Sequence, residues 1–299
     1  MRKQKQLATP IYGKQSFLDK LISYKKKPGS LIMAILVMLA TAFTLFIILY
    51  ILGYILAKGI PYITPSLFSW EYNSENVSLM PALITTIEMT VLSLVIAVPL
   101  GIFTAIYLVE YAKSGNRLVK LIRLTTETLS GIPSIIYGLF GMLFFVTYLK
   151  WKYSLLAGGL TLSIMILPLI MRTTEEALRA VPASYREASF GLGAGRLRTV
   201  FRVVLPSAIP GILAGVILAI GRIVGETAAL IYTAGTVAQV PPTLLSSGRT
   251  LAVHMYLLSS EGLNTNQAYA TAVVLLILVV LINGLSSLVS RKLSKGKQV

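Results

Sequence analysis

The sequence predicts an all-α, polytopic membrane protein with six transmembrane helices and both termini on the cytoplasmic side. Three observations carry this. Charged residues are only 13% of 299 and hydrophobic residues 55%, against about a quarter charged in a soluble domain. Six runs are long and apolar enough, at some 20 residues each, to cross about 30 Å of hydrocarbon as helices, while the strand-like alternation of a membrane barrel is absent. Basic residues gather in alternate connections, which sets the orientation.

Residues 1–30 form a basic cytoplasmic segment. Within it Ser16 is placed to cap a short helix, and Phe17, Leu18, Leu21 and Ile22 make an apolar stripe beside Lys14, Lys20 and Lys25–Lys27. That pattern suits a helix in the membrane interface, and equally a basic tail that only sets topology. The first apolar run, 31–57, is too long for the h-region of a cleavable signal, so it reads as the first transmembrane helix. A polar connection with Pro61, Pro65 and Trp70 follows. The core, 80–290, holds the remaining runs near 80–108, 128–149, 154–171, 207–232 and 268–290, and 291–299 is a cytoplasmic tail. The third run contains Gly131-Ile132-Pro133 and further glycines at 138 and 141, which predicts an unwound or closely packed helix. The fifth carries Gly211/Gly215 and Gly221/Gly225 at the spacing of small-residue packing faces.

The net charge of +16 would suit nucleic acid if it formed one patch. Instead Lys and Arg number eight in the first 29 residues, four in 109–127, six in 172–206 and four after 290. The connections 58–79, 150–153 and 233–267 hold one, two and one. The excess is topological, and nucleic-acid binding is not expected. There is no cysteine, so no disulfide or thiolate metal site forms, and the single histidine, His254, falls in an outer connection, where a surface or packing role is the usual one. No phosphate-binding loop, metal-ligand cluster or Ser-His-acid set is present. The chain has no ATP-hydrolysing machinery of its own and no cofactor is expected; energy for uphill movement has to come from a partner or an ion gradient.

The polar segment 172–206 interrupts the apolar pattern. Ser184 followed by Glu187 predicts a capped short helix, a glycine break spans 191–195, and a second helix follows from about Leu197 to Leu205. A helix–glycine–helix elbow of this kind presents a rigid knob. Three residues with charge lie inside apolar runs: Arg222, Glu226 one turn further along the fifth run, and Glu88 about 10 Å into the second at ~1.5 Å per residue. A salt bridge from Arg222 to either carboxylate would lock helices together. Free of one, Arg222 would offer a planar pair of donors to an oxyanion, with a carboxylate to receive the proton of hydrogen phosphate.

Glu187-Ala188-Ser189, Gly193 and Val203-Val204-Leu205-Pro206 stand at the spacing that marks permease subunits of ABC importers, with Ser189 for alanine and Val203 for isoleucine as departures. Ser130–Gly141, Gly221–Ala228 and Pro81–Thr86 look like those of phosphate-transporter permeases, and Leu251–Tyr256 is similar to the A-type rather than the C-type subunit. The resemblance covers roughly residues 80–290. It implies that Glu187, Ala188, Gly193, Leu205 and Pro206 shape an elbow, 184–206, that docks on a separate ATPase. It further implies a dimer of ATP-binding subunits, a C-type permease partner and an extracytoplasmic phosphate-binding protein, with inorganic phosphate as solute in a bacterial plasma membrane. Sulfate or molybdate import is the near alternative, and an ion-gradient-driven transporter the distant one.

Overall fold

The computed structural model describes residues 28–113 and 115–295. It is helical, with no strand among the described residues. The chain divides into two units after Tyr54. The expected interfacial helix over 14–29 lies almost wholly outside the described residues.

In the first unit, α1 (Pro28–Gly59, its last residues belonging to the second unit) carries Ile32, Leu36, Leu39, Phe43, Phe46 and Leu49 fully displayed. The Thr41 and Thr44 hydroxyls bond back to the Val37 and Ala40 carbonyls at 2.8 and 2.9 Å, so this apolar helix leaves neither hydroxyl unpaired in lipid.

The second unit contains α2 (Met80–Tyr111), α3 (Arg117–Ser130), α4 (Ser134–Tyr148), α5 (Leu155–Arg179), α6 (Ala183–Gly191), α7 (Arg196–Val224), α8 (Ala228–Ile231), α9 (Leu251–Glu261) and α10 (Thr265–Lys295). α1, α2, α5, α7 and α10 are each long and apolar enough to span a membrane; α3 and α4, bent by 104° at Gly131–Pro133, make a sixth span if taken together. The break expected at those residues is there. It joins α4 to an amphipathic helix, α3, in a stretch expected to be a loop up to residue 127. Asn116 starts α3 by accepting the Leu118 amide at 2.9 Å.

α5 is the central helix: 67% of its most apolar stretch is buried, against 33% or less in the other four. It packs between α2 and α7. Its Leu162, Met165, Ile166 and Ile170 cluster with Met89 of α2 and Ile223 of α7. Lipid tails are as apolar as leucine, so close approach rather than water exclusion holds such helices together. Glycines supply that approach. A Cβ on Gly101 would meet Ile170 at 2.7 Å, one on Gly159 would meet Leu92 at 2.5 Å, and one on Gly211 would meet Ala177 at 2.7 Å. Gly215 packs the same way on Thr173, whereas Gly221 faces open space. Among the described residues, only the first of the two predicted glycine pairs is therefore a packing face. Between α2 and α5, Ser93 Oγ donates toward the Gly159 carbonyl at 3.2 Å and Ser163 Oγ toward the Ser93 carbonyl at 3.2 Å.

Two expected boundaries move. α5 runs on to Arg179, eight residues into the segment expected to be a loop from 172, because Arg172–Glu176 and Arg179–Glu175 pair along its polar end at 3.1 and 3.6 Å. α7 ends at Val224, not 232. The apolar residues beyond it fold back as α8, where Ala229 and Leu230 are fully buried and Gly138 of α4 sits against the Ala229 Cα. A loop then returns to the start of α5, its Thr233, Ser246 and Leu244 carbonyls accepting the amides of Ser154, Leu155 and Leu156 at 2.8–3.0 Å.

Candidate functional site

The elbow consists of α6 and the start of α7 about a left-handed glycine. Gly193 has φ +79°, and the amides of Leu192, Gly193 and Ala194 close the end of α6 onto the carbonyls of Ala188, Phe190 and Ser189 at 2.9–3.1 Å. A Cβ on Gly193 would touch nothing, so backbone conformation alone calls for glycine there. Across the bend, Ser189 Oγ and Thr199 Oγ1 lie 2.8 Å apart, which gives the departure from alanine at 189 a structural role. The helix starts at Ala183 after Pro182 with no side-chain cap, so the Ser184–Glu187 pair is not the capping box expected; the Pro182 carbonyl accepts the Tyr185 amide at 3.2 Å instead.

Arg186 fixes this elbow to the helices above it. Its Nη2 and Nε donate to Glu110 Oε1 at 2.7 and 3.2 Å, its Nη1 to the Val181 carbonyl at 2.9 Å and its Nη2 to the Leu178 carbonyl at 2.9 Å. Glu110 is only 7% exposed and sits in the π-helical turn Tyr107–Tyr111 that ends α2. Beneath, Leu178, Val181, Val200, Val204 and Ile212 pack with Ala105 and Ile106. The outer surface is different. Glu187, Ala188 and Gly193 are exposed, beside Tyr185, Phe190, Leu192 at 90% and Leu197 at 66% exposure. Such a rimmed apolar patch on a braced support is the form of a protein-docking face. Leu205 and Pro206 are half-buried below it, where α7 leaves the π-helical turn Val200–Val204 and enters its span.

The charges inside the apolar helices are not brought together. Arg222 is half-buried in the last turn of α7 and makes no ion pair or hydrogen bond among the described residues. Glu226 is not one helical turn further along the same face, because the helix has ended. It is buried in the turn after Gly225, and its Oε1 accepts the Ala229 amide at 3.1 Å, which satisfies the start of α8. Glu88, two turns into α2, has a buried Oε2 with no partner. A cavity of about 620 Å³ is lined by Ile135, Thr227, Ala228, Tyr232, Tyr256 and Tyr269 among others, and none of the three charges lines it. This apolar hollow is not where the ionic chemistry is.

Two further groups stand out, of whose residues sequence reasoning weighed only His254. Glu110 and Arg186 are 76 residues apart. The only sign of their pairing is an acidic residue closing the inner end of a long apolar run. Arg249, Thr250 and His254 are 7%, 2% and 0% exposed. The stretch was expected to be an outer connection, and a composition-based reading of a connection carries no sign of burial.

Residues 97–295 match the family model described as the binding-protein-dependent transport system inner membrane component. The chain is 39% identical over 185 residues to the probable ABC transporter permease protein YqgI of Bacillus subtilis, a match covering 58% of this chain and 63% of that relative, so it spans just under two thirds of its length. It is 32% identical over 248 residues to the phosphate transport system permease protein PstA of Mycobacterium leprae, covering 79% of this chain and 80% of the relative. The fold matches a chain of the bacterial alginate ABC transporter in complex with an alginate pentasaccharide-bound periplasmic protein, at TM-score 0.66 and 17% identity over 91% of this chain and 98% of that one.

Proposed function

Since the chain belongs to the family of inner-membrane components of binding-protein-dependent transport systems, we propose that it is the transmembrane permease subunit of an ATP-driven inorganic phosphate importer. The observation that carries this is the elbow. A bend with an exposed apolar face is tied by Arg186 to the ends of α2 and α5, so a push on that face moves both helices. ATP hydrolysis takes place in a separate pair of ATP-binding subunits seated on Glu187, Ala188 and Gly193. Leu205 and Pro206 pass the movement into α7.

Phosphate as solute is supported by the M. leprae relative, a phosphate transport system permease protein, and by Arg222. A guanidinium with no carboxylate partner in the last turn of a spanning helix is held at a sizeable energetic cost, and an aqueous path with anionic traffic is the usual reason. Arg222 draws the oxyanion, with Glu88 as the free carboxylate. Glu226 acts by holding the turn beneath. Both termini and the elbow face the cytoplasm of a bacterial plasma membrane. An external binding protein delivers phosphate on the opposite side, and a second permease subunit completes the pathway.

The test is reconstitution in liposomes with the second permease subunit, the ATP-binding subunits and the binding protein, following ATP-dependent uptake of labelled phosphate and sulfate. Phosphate uptake that falls to background in Arg222→Gln, with assembly intact, is the expected result. Preference for sulfate, or phosphate uptake by the lone chain on an ion gradient, overturns the proposal.

A further inference from the structure

The N-terminus of α9 is buried without the partners such a helix end needs. Leu251, Ala252 and Val253 are each at most 1% exposed. The Leu251 amide donates to the Thr86 hydroxyl at 2.8 Å. The Ala252 and Val253 amides find no acceptor among the described residues. Thr250 occupies the capping position, yet its hydroxyl does not cap the first turn and is itself buried and unpaired. The contrast with α5 is direct, since there Ser154 and three loop carbonyls satisfy the same groups.

Arg249 precedes this helix. Its backbone amide is tied to the Val237 carbonyl at 3.0 Å and its guanidinium lies over the Tyr72 ring, 4.6 Å from the centroid. Nε and Nη2 are buried and unpaired. These two nitrogens share one edge of the guanidinium, the edge that offers two parallel N–H groups to a pair of oxygens. His254, in the following turn, meets the same Tyr72 ring edge-on at 6.2 Å. The Val77 carbonyl faces its ring, but neither ring nitrogen reaches hydrogen-bonding geometry. No carboxylate among the described residues pairs with Arg249 or His254.

Buried polar groups are almost always satisfied, so a cluster of orphans has a cause. Here the orphans are mostly donors: two amides in the first turn of α9, a hydroxyl at its capping position and two guanidinium nitrogens on the residue before it, all in the stretch that opens the positive end of a helix dipole. Water would satisfy single groups and leave the buried cation without a counter-charge. An anion with several acceptor oxygens answers both needs, and a helix N-terminus is where such anions bind. We propose that the N-terminus of α9 is a binding site for a small tetrahedral oxyanion. The Arg249 edge, the Ala252 and Val253 amides and the Thr250 hydroxyl hold it, and His254 accepts the hydrogen bond of the anion's own hydroxyl. Burial and the neighbouring Arg249 keep His254 neutral, with a pKa lowered to about 3. One ring nitrogen is then always an acceptor near neutral pH, which selects hydrogen phosphate over sulfate. The site uses none of Arg222, Glu226 or Glu88, and does not depend on the import proposal.

The experiment is equilibrium dialysis of the full-length protein in lipid nanodiscs, freed of phosphate, against labelled inorganic phosphate and labelled sulfate. Arg222→Gln serves as the background, so that binding at that charge is removed. Saturable phosphate binding is expected in the background protein, roughly tenfold or more weaker with Arg249→Met added, as loss of charge-assisted hydrogen bonds requires. Sulfate binding is expected to be weaker than phosphate binding, with the gap narrowed by His254→Phe. Absence of saturable binding in the background protein, or equal affinity after Arg249→Met, overturns the site. Should Arg249→Met fail to fold, Thr250→Val takes its place with the same two outcomes. A density map of the phosphate-saturated protein with only water at the Ala252 and Val253 amides also overturns it. Phosphate uptake is not measured here, so failure of this site and failure of phosphate import are told apart.

Discussion

Arg186 on the elbow helix grips Glu110 at the inner end of α2 with two nitrogens, at 2.7 and 3.2 Å, while the same guanidinium holds the carbonyls of Leu178 and Val181 at the end of α5. One side chain thus ties three helices. A lysine could not do this, because a single ammonium lacks the planar fork. The arrangement makes the elbow part of a rigid body rather than a flexible connection.

Replacing Arg186 by Gln is therefore expected to lower transport per ATP hydrolysed more than it lowers ATP hydrolysis itself. Removing one partner of a buried pair leaves the other uncompensated, a loss of about 3–5 kcal/mol when burial is full and less here, where Arg186 is 20% exposed. Arg186→Lys is expected to recover little. The Arg186→Glu, Glu110→Arg exchange is expected to recover part of the coupling. The ratio of labelled phosphate taken up to ATP consumed, in the reconstituted complex, checks this. An unchanged ratio in Arg186→Gln would show that the brace serves stability alone.

Glycines at the elbow and in the span are expected to respond differently to alanine. At Gly193 the left-handed backbone is the only obstacle, so Gly193→Ala should destabilise by about 1 kcal/mol. At Gly215 a Cβ would run into the Thr173 side chain, whose hydroxyl is already engaged with Leu169, and overpacking of about 1–3 kcal/mol is expected. Gly221→Ala meets nothing among the described residues and should stabilise the helix by up to about 1 kcal/mol. Denaturant titration of the purified variants ranks them. A large loss at Gly221 would mean that another chain packs on that face.

Arg222 and Glu226 sit four residues apart, and the structure separates their roles. Arg222→Gln is expected to weaken oxyanion capture by roughly tenfold or more, in line with one charge-assisted contact. Glu226→Gln keeps an oxygen for the Ala229 amide and should leave α8 in place, whereas Glu226→Leu removes that acceptor and should cost about 0.5–2 kcal/mol, the range for a lost cap. Uptake and thermal unfolding measured side by side distinguish the two.

The apolar runs of α1, α2 and α10 were legible because hydropathy alone marks a span. The bend at Gly131–Pro133 was legible as a break, although not as a turn of 104° with a polar helix before it. The end of α7 was not legible. Residues 228–231 are as apolar as the helix they follow, and hydropathy cannot tell a segment that crosses lipid from one buried against α4. That one boundary misplaced Glu226 relative to Arg222. The elbow was read from its glycines, but its anchor was hidden, since no local pattern links residues 76 positions apart. His254 reads from sequence as lying in an outer connection, with a surface or packing role open to it, and its full burial selects packing; a lone histidine carries no local sign of which.

That buried histidine makes stability depend on pH in a direction the structure fixes. Burial first, and the Arg249 charge second, lower the His254 pKa from 6.5 to about 3. The folded-state value lies below the unfolded one, so between about pH 6.5 and 3 the unfolded chain binds a proton that the native chain refuses. Unfolding is favoured as pH falls through that window, with a limiting slope of about 1.4 kcal/mol per pH unit. Above pH 6.5 the residue contributes no slope. His254→Phe removes the titrating group while keeping the ring against Tyr72. Its stability between pH 6.5 and 5 is expected to fall less steeply than that of the parent in phosphate-free buffer. Parallel pH profiles of the two proteins would mean that the ring is already charged in the native state, with an acceptor beside it that the geometry around Val77 and Arg249 does not provide.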